Sequence, residues 1–252
     1  MKAFVTGATG LLGINLIRLL KSKGYQVKAL IRSKDKAQKW LGDLDLELIQ
    51  GDMTRVGDFA PALAGCDVLF HTAAYFNDYY QGNPKSHWEK LKAVNIEGTR
   101  SLLEAAEAQQ IKKFIYVSSS GTIGQAETNV ADESTGADEQ VKANLYFKSK
   151  VETDQMIETF LQSHSLAVTS LLPGWMFGPF DTVPSAAGRL ILDFSQSKLP
   201  AQFEGSVMIV DVRDAANALF EAVGLGESGA RYLVAGHFVK LTELLELLTK
   251  VT

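Results

Sequence analysis

The sequence predicts a doubly wound α/β fold, in which helices cover both faces of one parallel sheet. Short apolar runs alternate with segments whose apolar residues recur at the helical period, an order typical of α/β domains. The runs are continuously apolar, as they are in strands buried on both faces. A glycine-rich turn joins the first run to the first helical segment, which is where such folds bind phosphate groups.

Each element can be placed along the chain. The predicted strands are 2–6 (KAFVT), 26–31 (QVKALI), 46–50 (LELIQ), 67–71 (DVLFH), 112–118 (KKFIYVS) and 166–173 (LAVTSLLP). The predicted helices are 11–24, 86–110 and 143–164. Gly24 is a natural stop for the first helix. Ser86 and Glu89 have the spacing of a capping box, so the second helix is predicted to start there.

The composition restricts the class of protein. The chain has 252 residues, 46% of them hydrophobic, and a net charge of −4, which argues against a nucleic-acid-binding protein. Cys66 is the only cysteine, so a disulfide framework and a CxxC metal site are excluded and a reducing, cytoplasmic compartment is expected. The sequence shows no signal peptide and no run of ~18 apolar residues, so no membrane segment is expected. His87, His164 and His237 lack ligand spacing, so no metal site is expected.

The glycines at positions 7, 10 and 13 form a GxxGxxG pattern between the first strand and the first helix. Glycine allows a tight turn and a close approach of the backbone to a pyrophosphate, and the helix N-terminus offers free N–H groups. The alternative is a tight turn with a small residue at a helix–sheet contact. The turn therefore predicts a dinucleotide site, with candidate contacts at Gly7, Thr9, Gly10, Leu11, Leu12 and Gly13.

The residue at the end of the second strand bears on the choice of dinucleotide. An NAD site places Asp or Glu there to bind the ribose 2′-hydroxyl, whereas this chain has Arg32, followed by Lys34, Lys36 and Lys39. A guanidinium can pair with a 2′-phosphate in a bidentate manner, so NADP(H) is favoured and Arg32 and Lys39 are candidate contacts. The alternative is a solvated basic helix start, and Asp35 keeps NAD(H) open.

Asp52 and Met53 follow the third strand in the stretch QGDM and are further candidate cofactor contacts. The Asp52 carboxylate could accept a hydrogen bond from the adenine amine. A turn or capping aspartate is an equally good interpretation of the same residue.

Tyr146 and Lys150 have a YxxxK spacing on a predicted helix, so both side chains can face one ligand. A nearby ammonium favours the phenolate, which would let Tyr146 act as an acid or base near neutral pH. The serine run 118–120 ends the fifth strand, and a hydroxyl there could polarise a substrate carbonyl. Together these residues predict carbonyl chemistry beside the dinucleotide.

With these motifs, the sequence resembles the extended short-chain dehydrogenase/reductase superfamily. The resemblance is to the NAD(P)-dependent epimerase/dehydratase branch, and within it to the dihydroflavonol-reductase-like and cinnamoyl-CoA-reductase-like enzymes. It covers the whole chain and rests on FVTGATGLLG, LIRS, QGDM, FHTAA, VNIEGT, YVSSSGTIG, YFKSK, LLPGWMFGPF and MIVDVRDAANAL. The resemblance implies a Rossmann-type NAD(P)-binding core over residues 1–172. It also implies that the mixed segment 173–252 builds a small C-terminal substrate lobe and returns to the core.

The resemblance further implies a role for each matching residue. Ser120 is the implied catalytic serine, with Ser119 and Thr122 as alternatives if the match shifts, and Ser118 is the most structural of the run. Tyr146 is the implied catalytic tyrosine, and Lys150 lowers its pKa and binds the nicotinamide ribose. Asn95, grouped with the catalytic residues, supports the site from the long helix. The implied cofactor contacts are His71, Thr72, Ala73, Ser118, Tyr146, Lys150, Pro173, Gly174 and Met176.

Some features depart from the family pattern. Leu172 stands before Pro173 where relatives often have Asn or Arg. Most relatives continue for several dozen residues, so a truncated or processed form, or a minimal substrate lobe, is expected. The loop that holds Tyr79, Tyr80 and Trp88 is expected either to line the substrate pocket or to pack as a surface loop.

Three classes of function compete for this sequence. NADPH-dependent reduction of a ketone or aldehyde on a small organic substrate is preferred, with the carbonyl between Ser120 and Tyr146. A nucleotide-sugar epimerase with tightly bound NAD(P) is second, because it needs a roomier C-terminal lobe; a dehydratase is disfavoured because Gly121 stands where relatives carry acidic residues. A non-catalytic dinucleotide-binding protein is third, because Tyr146 and Lys150 are both present. A homodimer, formed through the helices that carry Asn95 and Tyr146, is expected.

Overall fold

A seven-stranded parallel sheet forms the centre of the computed structural model, which describes residues 1–76, 83–126, 130–199 and 205–251. In these residues the strands are β1 (Lys2–Thr6), β2 (Gln26–Ile31), β3 (Glu47–Gln50), β4 (Val68–His71), β5 (Lys113–Val117), β6 (Ala167–Pro173), β7 (Trp175–Phe177), β8 (Ser206–Asp211), β9 (Arg231–Val234) and β10 (His237–Lys240). The sheet order is β3-β2-β1-β4-β5-β6-β9, and every neighbouring pair is parallel. The predicted α/β fold is confirmed.

Helices cover both faces of this sheet. In the same residues they are α1 (Leu11–Ser22), α2 (Lys34–Leu41), α3 (Pro84–Leu91), α4 (Gly98–Ala108), α5 (Glu139–Ala143), α6 (Leu145–Leu161), α7 (Ala186–Ser195), α8 (Val212–Leu225) and α9 (Leu241–Val251). Successive strand residues face opposite helices: Phe4 packs in the cluster that contains α4 and α6, whereas Ala3 and Val5 pack in the cluster that contains α1 and α8. Burial on both faces is why the strand sequences read as continuous apolar runs.

The predicted long helix is three consecutive segments. α3 runs into a π-helical segment, Lys92–Glu97, and α4 follows directly. The capping-box prediction is wrong, because Asn83 is the N-cap, its side chain accepts from the Lys85 N–H, and Pro84 occupies the first helical turn. Proline fits there because its missing N–H would have no intrahelical partner. The Ser86 hydroxyl instead donates to the Asn83 carbonyl at 2.9 Å.

The helix that carries Tyr146 starts later than predicted. Asn144 is the N-cap of α6, and its side chain accepts from the N–H groups of Tyr146 and Phe147. The short helix α5 precedes it and ends at Ala143. An Asn cap of this kind ties the first helical turn, and with it Tyr146, to a defined position.

The chain after β6 alternates between two layers. β7, β8 and β10 form a second sheet, in which β8 pairs in parallel with β7 and antiparallel with β10. Between β8 and β10, α8 packs against α1 and β9 pairs with β6 at the edge of the main sheet. Residues beyond 172 therefore supply the second sheet, and also α8, which packs on the main sheet, and β9, which joins its edge.

The order of the main sheet reverses between β1 and β4, which are neighbours although they are not consecutive. In doubly wound sheets, ligands bind in the crevice outside the carboxyl ends of the strands at such a reversal. The turn after β1 and the loop after β4 meet at this point. Throughout the described residues, the helices lack the combination of length and apolar character that a membrane span requires.

Candidate active site

The glycine turn after β1 is shaped by close contacts that other residues would not allow. Gly7 has a positive φ of +67°, and a Cβ there would lie 2.6 Å from the Thr72 hydroxyl oxygen and 2.7 Å from the Ala73 nitrogen. A Cβ on Gly13 would overlap the carbonyl of Gly7. Gly7 and Gly13 are therefore needed for the turn itself and for its packing against the start of α1.

Gly10 differs, because a Cβ there would meet only the Gly7 carbonyl oxygen, at 3.3 Å. Gly10 is the N-cap of α1, and no side chain caps this helix end. The first-turn N–H groups and the positive end of the helix dipole therefore face open space beside Gly10. This cradle fits the pyrophosphate of a dinucleotide, which the backbone can approach only where no side chain intervenes.

Two clefts adjoin this cradle, and Gly7 and Gly10 line both of them. We call one the basic cleft, because Arg32 and Lys36 line it. We call the other the tyrosine cleft, because Tyr146 and Lys150 line it. The arrangement provides room for the two halves of a dinucleotide, one on each side of its pyrophosphate.

Most of the predicted cofactor contacts lie in these clefts. Thr9, Arg32, Asp52, Met53, Thr72 and Ala73 line the basic cleft. The tyrosine cleft is lined by Leu11, Leu12, Gly13, Pro173, Gly174 and Met176. Thr72 also borders the tyrosine cleft, so the loop after β4 separates the two.

The basic cleft brings Arg32 together with Lys36 and not with Lys39. Burial, and then the charge of Arg32, lowers the pKa of Lys36, as expected for two cations in one partly enclosed site. Lys39 lies outside the cleft lining, and its ammonium is 5.1 Å from the ring centroid of Trp40. The reason is helical geometry: Ser33 caps α2, so Lys36 falls in the first turn beside the cleft and Lys39 falls nearly one turn further on.

Asp52 has the predicted capping role and also lies in the basic cleft. It lines the basic cleft and also caps the 3₁₀ turn Met53–Asp58, where its Oδ1 accepts from the Thr54 N–H at 2.9 Å and the Thr54 hydroxyl at 2.7 Å. These hydrogen bonds, more than the nearby charge of Arg32, lower the pKa of the carboxyl.

In the tyrosine cleft, Lys150 is fixed beneath Tyr146. The Lys150 ammonium donates to the Val117 carbonyl at 2.7 Å and to the Tyr116 hydroxyl at 3.2 Å, and it lies 5.9 Å from the ring centroid of Tyr146. Burial lowers the pKa of Lys150, while the negative charge of Asp154 opposes that shift. The tyrosine ring is half-buried and packs edge-on against Phe76, with the ring centroids 4.5 Å apart.

The serine run does not present three equal hydroxyls to the cleft. Ser118 and Ser119 line the tyrosine cleft, whereas Ser120 is absent from its described lining. Ser119 caps the 3₁₀ turn Ser120–Thr122 and accepts from the Gly121 N–H at 3.1 Å. Ser118 is buried and donates to Asp154 Oδ2 at 2.9 Å, and Thr122 donates to the Ser119 carbonyl. The structure thus brings Ser119, the predicted alternative, to the cleft with Tyr146 and Lys150.

Two other predicted residues lie behind the clefts. The His71 ring is buried between the hydroxyls of Thr6 and Thr99, each 2.8 Å from a ring nitrogen, and burial lowers its pKa to about 3. A neutral imidazole held in this way orders the end of β4. The His71 side chain is absent from the described lining of either cleft, whereas Thr72 and Ala73 of the following loop line the basic cleft.

Asn95, in the π-helical segment, connects two parts of the chain by hydrogen bonds. Its Oδ1 accepts from the Tyr75 N–H at 2.7 Å, and its Nδ2 donates to the Tyr75 carbonyl and to the Ser149 hydroxyl, both at 3.0 Å. It therefore ties the loop after β4 to α6, one residue before Lys150, and supports the site without lining either cleft.

The clefts also contain residues that were not among the predicted contacts. Phe76, Phe147 and Trp175 line the tyrosine cleft, and Lys36 lines the basic one. Of the aromatic loop, Tyr79 and Tyr80 lie outside the described residues. Trp88 lies on α3, where its ring is 4.5 Å from the ammonium of Lys148.

Comparison with known proteins agrees with this geometry. The sequence model of the NAD dependent epimerase/dehydratase family matches residues 3–235. A protein of Synechocystis sp. named as a dihydroflavonol 4-reductase is 32% identical over 254 residues, which cover 99% of this chain and 72% of that one. Sterol demethylase protein B of Methylococcus capsulatus is also 32% identical, and the match covers 100% of this chain and 75% of that protein.

Solved structures share the fold. The crystal structure of gox2253 superposes with a TM-score of 0.88 at 30% identity, covering 99% of this chain and 74% of that one. DesIV, a dTDP-glucose 4,6-dehydratase of Streptomyces venezuelae solved with NAD, has a TM-score of 0.86 at 20% identity and shows the fold alone; it covers 99% of this chain and 80% of that one. The resemblance inferred from the motifs is confirmed. The chain belongs to the NAD-dependent epimerase/dehydratase family and is an NAD(P)-dependent oxidoreductase.

Proposed function

We propose that this protein reduces a ketone or aldehyde group on a small, uncharged substrate, with NADPH as the hydride donor. The observation that carries the proposal is that Tyr146, Lys150 and Ser119 line one cleft together with the glycine turn. Relatives named as reductases support it, among them the Synechocystis protein and a Stigmatella aurantiaca quinoline-oxide ketoreductase that is 30% identical over 72% of this chain.

Each residue has a chemical task in this proposal. The bound cofactor supplies hydride to the carbonyl carbon and is oxidised, while the carbonyl becomes an alcohol. Tyr146 donates the proton to the carbonyl oxygen as the hydride arrives. The Lys150 ammonium stabilises the phenolate that remains, and the Ser119 hydroxyl donates a hydrogen bond to the same oxygen, where negative charge develops.

The cleft lining favours an uncharged substrate over a nucleotide sugar. Phe76, Phe147, Trp175 and Met176 contribute apolar surface, and Lys150 is the one charged side chain in the described lining. Its ammonium is already bonded to the Val117 carbonyl and Tyr116 hydroxyl. The diphosphate of a nucleotide sugar is normally recognised by arginine or lysine side chains, or by helix N-termini. The N-terminus of α1 is taken by the cofactor's own pyrophosphate in this proposal. The N-terminus of α7 also borders the cleft, and the Ser185 side chain caps it by accepting from the Gly188 N–H at 3.1 Å.

The serine assignment is tested by a matched pair of variants. Ser119→Ala removes the hydroxyl that lines the cleft and is expected to lower kcat/KM by about 10²-fold. Ser120→Ala removes a neighbouring hydroxyl outside the lining and is expected to leave kcat/KM nearly unchanged. Steady-state kinetics with one carbonyl substrate gives both values. The reverse order of effects would assign the role to Ser120.

The cofactor preference is tested at the basic cleft. Arg32→Ala removes a charge-assisted contact to the 2′-phosphate and is expected to raise the Kd of NADPH by about 10–100-fold, with little change for NADH. Lys39→Ala, which removes a cation outside the cleft, is the matched control. Fluorescence titrations of each variant with both nucleotides give the values. Equal weakening of NADPH and NADH binding would remove Arg32 from recognition of the 2′-phosphate.

A further inference from the structure

Behind the serine run, a buried carboxylate pairs with a partly buried arginine, and neither side chain lines a cleft or takes part in the proposed chemistry. Asp154 is on α6, one turn after Lys150, and is 7% exposed. Its Oδ2 accepts from the Ser118 hydroxyl at 2.9 Å and lies 3.5 Å from Nη2 of Arg231 on β9. The same Nη2 donates to the Thr122 hydroxyl at 3.1 Å.

These contacts hold both ends of the turn that presents Ser119. At its start, Lys150 binds the Val117 carbonyl and Asp154 binds the Ser118 hydroxyl, so two positions one helical turn apart on α6 hold two consecutive residues after β5. At its end, Arg231 binds Thr122, whose hydroxyl in turn donates to the Ser119 carbonyl. The distance between Ser119 and the helix that carries Tyr146 therefore depends on this network.

The same carboxylate acts on Lys150 electrostatically. Burial lowers the pKa of Lys150 and the charge of Asp154 opposes this, whereas burial raises the pKa of Asp154 and Arg231 is the main opposing charge. The other groups that act on Asp154 are the Ser118 hydroxyl, Lys150 and the exposed Glu158, and Asp154 itself raises the pKa of Tyr116 on β5. One buried carboxylate thus interacts with the buried Lys150 ammonium and with the partly buried Arg231 guanidinium.

Stability alone does not account for such a pair. Within the described residues, Asp154 Oδ1 and Arg231 Nε are buried without a hydrogen-bond partner. A partly satisfied buried ion pair is often no more stabilising than apolar side chains of similar volume. We therefore look for a role of this network in positioning the catalytic groups.

We propose that Asp154, supported by Arg231, is a positioning residue that aligns the Ser119 turn with α6 and keeps Lys150 cationic. The inference rests on the proposed roles of Ser119, Tyr146 and Lys150. It assigns no contact with substrate or cofactor to Asp154.

The test is Asp154→Asn, which keeps the shape and an acceptor oxygen for Ser118 but removes the charge. We expect Lys150 to titrate about one pH unit lower than in the unaltered protein, a tenfold change in proton affinity. The titration is followed by NMR of ¹³Cε-labelled lysine, with the Lys150 signal assigned through Lys150→Arg. The alkaline limb of the pH profile of kcat is expected to move to lower pH by a similar amount, because less Lys150 stays charged.

Glu158→Gln is the matched control, because it removes a negative charge from the next turn of the same helix at an exposed position. Glu158→Gln is expected to change neither the Lys150 titration midpoint nor the alkaline limb of the pH profile of kcat. Asp154→Asn leaves the partly buried Arg231 without its partner charge, so a second variant guards against failure of the single variant to fold. The double variant Asp154→Asn with Arg231→Met removes both charges and is expected to show the same downward shift of the Lys150 titration.

An unchanged Lys150 midpoint in the folded variant would overturn the inference. So would an alkaline limb identical to that of the Glu158→Gln control. The NMR readout needs no turnover, so it separates this inference from the proposed function. If the Tyr146→Phe variant retained turnover, the proposed chemistry would be wrong, but the effect of Asp154 on the Lys150 titration would still stand.

Discussion

Tyr146→Phe is expected to lower kcat by about 10²–10⁴-fold, the range for loss of a positioned general acid. The variant removes only the hydroxyl that donates the proton. The phenylalanine ring keeps the edge-on packing against Phe76, so the cleft should retain its shape. Binding of NADPH should therefore stay close to that of the unaltered protein, and stopped-flow or steady-state absorbance assays beside a fluorescence titration would separate the two quantities.

A tyrosine outside the site provides the control for that experiment. The hydroxyl of Tyr25 contacts the sulfur of Met1, and Tyr25 is absent from the described lining of both clefts. Tyr25→Phe is expected to leave kcat unchanged. If Tyr146→Phe turned over substrate as fast as Tyr25→Phe, Tyr146 would have no part in the proton transfer.

Gly10→Val is expected to weaken NADPH and NADH binding alike, by about 10²-fold or more, equivalent to at least ~2.7 kcal/mol. The added side chain would stand in the open space that both clefts share and would keep a pyrophosphate away from the start of α1. The fold should persist, because a Cβ there meets only the Gly7 carbonyl oxygen and the backbone is extended, with φ −88° and ψ 169°. Loss of the glycine N-cap should cost about 1 kcal/mol or less.

Gly224→Val is the matched control, because a Cβ at Gly224, on α8, meets no atom within 4 Å. It should unfold at a temperature close to that of the unaltered protein and bind both nucleotides normally. Calorimetry and fluorescence titration of the two variants give these values. Normal nucleotide binding by a folded Gly10→Val protein would contradict the placement of the pyrophosphate at this turn.

The fold could be predicted because its signals are local. The six predicted strands of the main sheet are short apolar runs, whereas the edge strand β9 was not predicted. The reversal of sheet order between β1 and β4 follows once the glycine turn is placed after β1. The helix boundaries were less predictable. The Ser86–Glu89 pattern predicted a helix start at Ser86, but α3 begins at Pro84 with Asn83 as its N-cap. A proline in the first helical turn and an Asn cap fit the backbone better than the predicted capping box.

The site was predictable in outline and less so in its details. Tyr146 and Lys150 share a helix face, so their spacing alone indicates a common cleft. The regular strand ends at Val117, just before the serine run. The alternation of side chains along a strand therefore no longer predicts which hydroxyl faces the cleft. The 3₁₀ turn that follows brings Ser119 to the cleft. The contact between Asp154 and Arg231 joins α6 to the edge strand β9 across a long stretch of chain, and no local pattern indicates such a pairing.

The most direct test of the proposed activity is to titrate the purified protein with NADPH and NADH and then follow nicotinamide absorbance over carbonyl compounds and nucleotide sugars. We expect tighter binding of NADPH and stoichiometric loss of its absorbance with an apolar ketone or aldehyde. A tightly held cofactor that is never consumed, while a nucleotide sugar changes configuration, would contradict the reductase proposal and identify an epimerase.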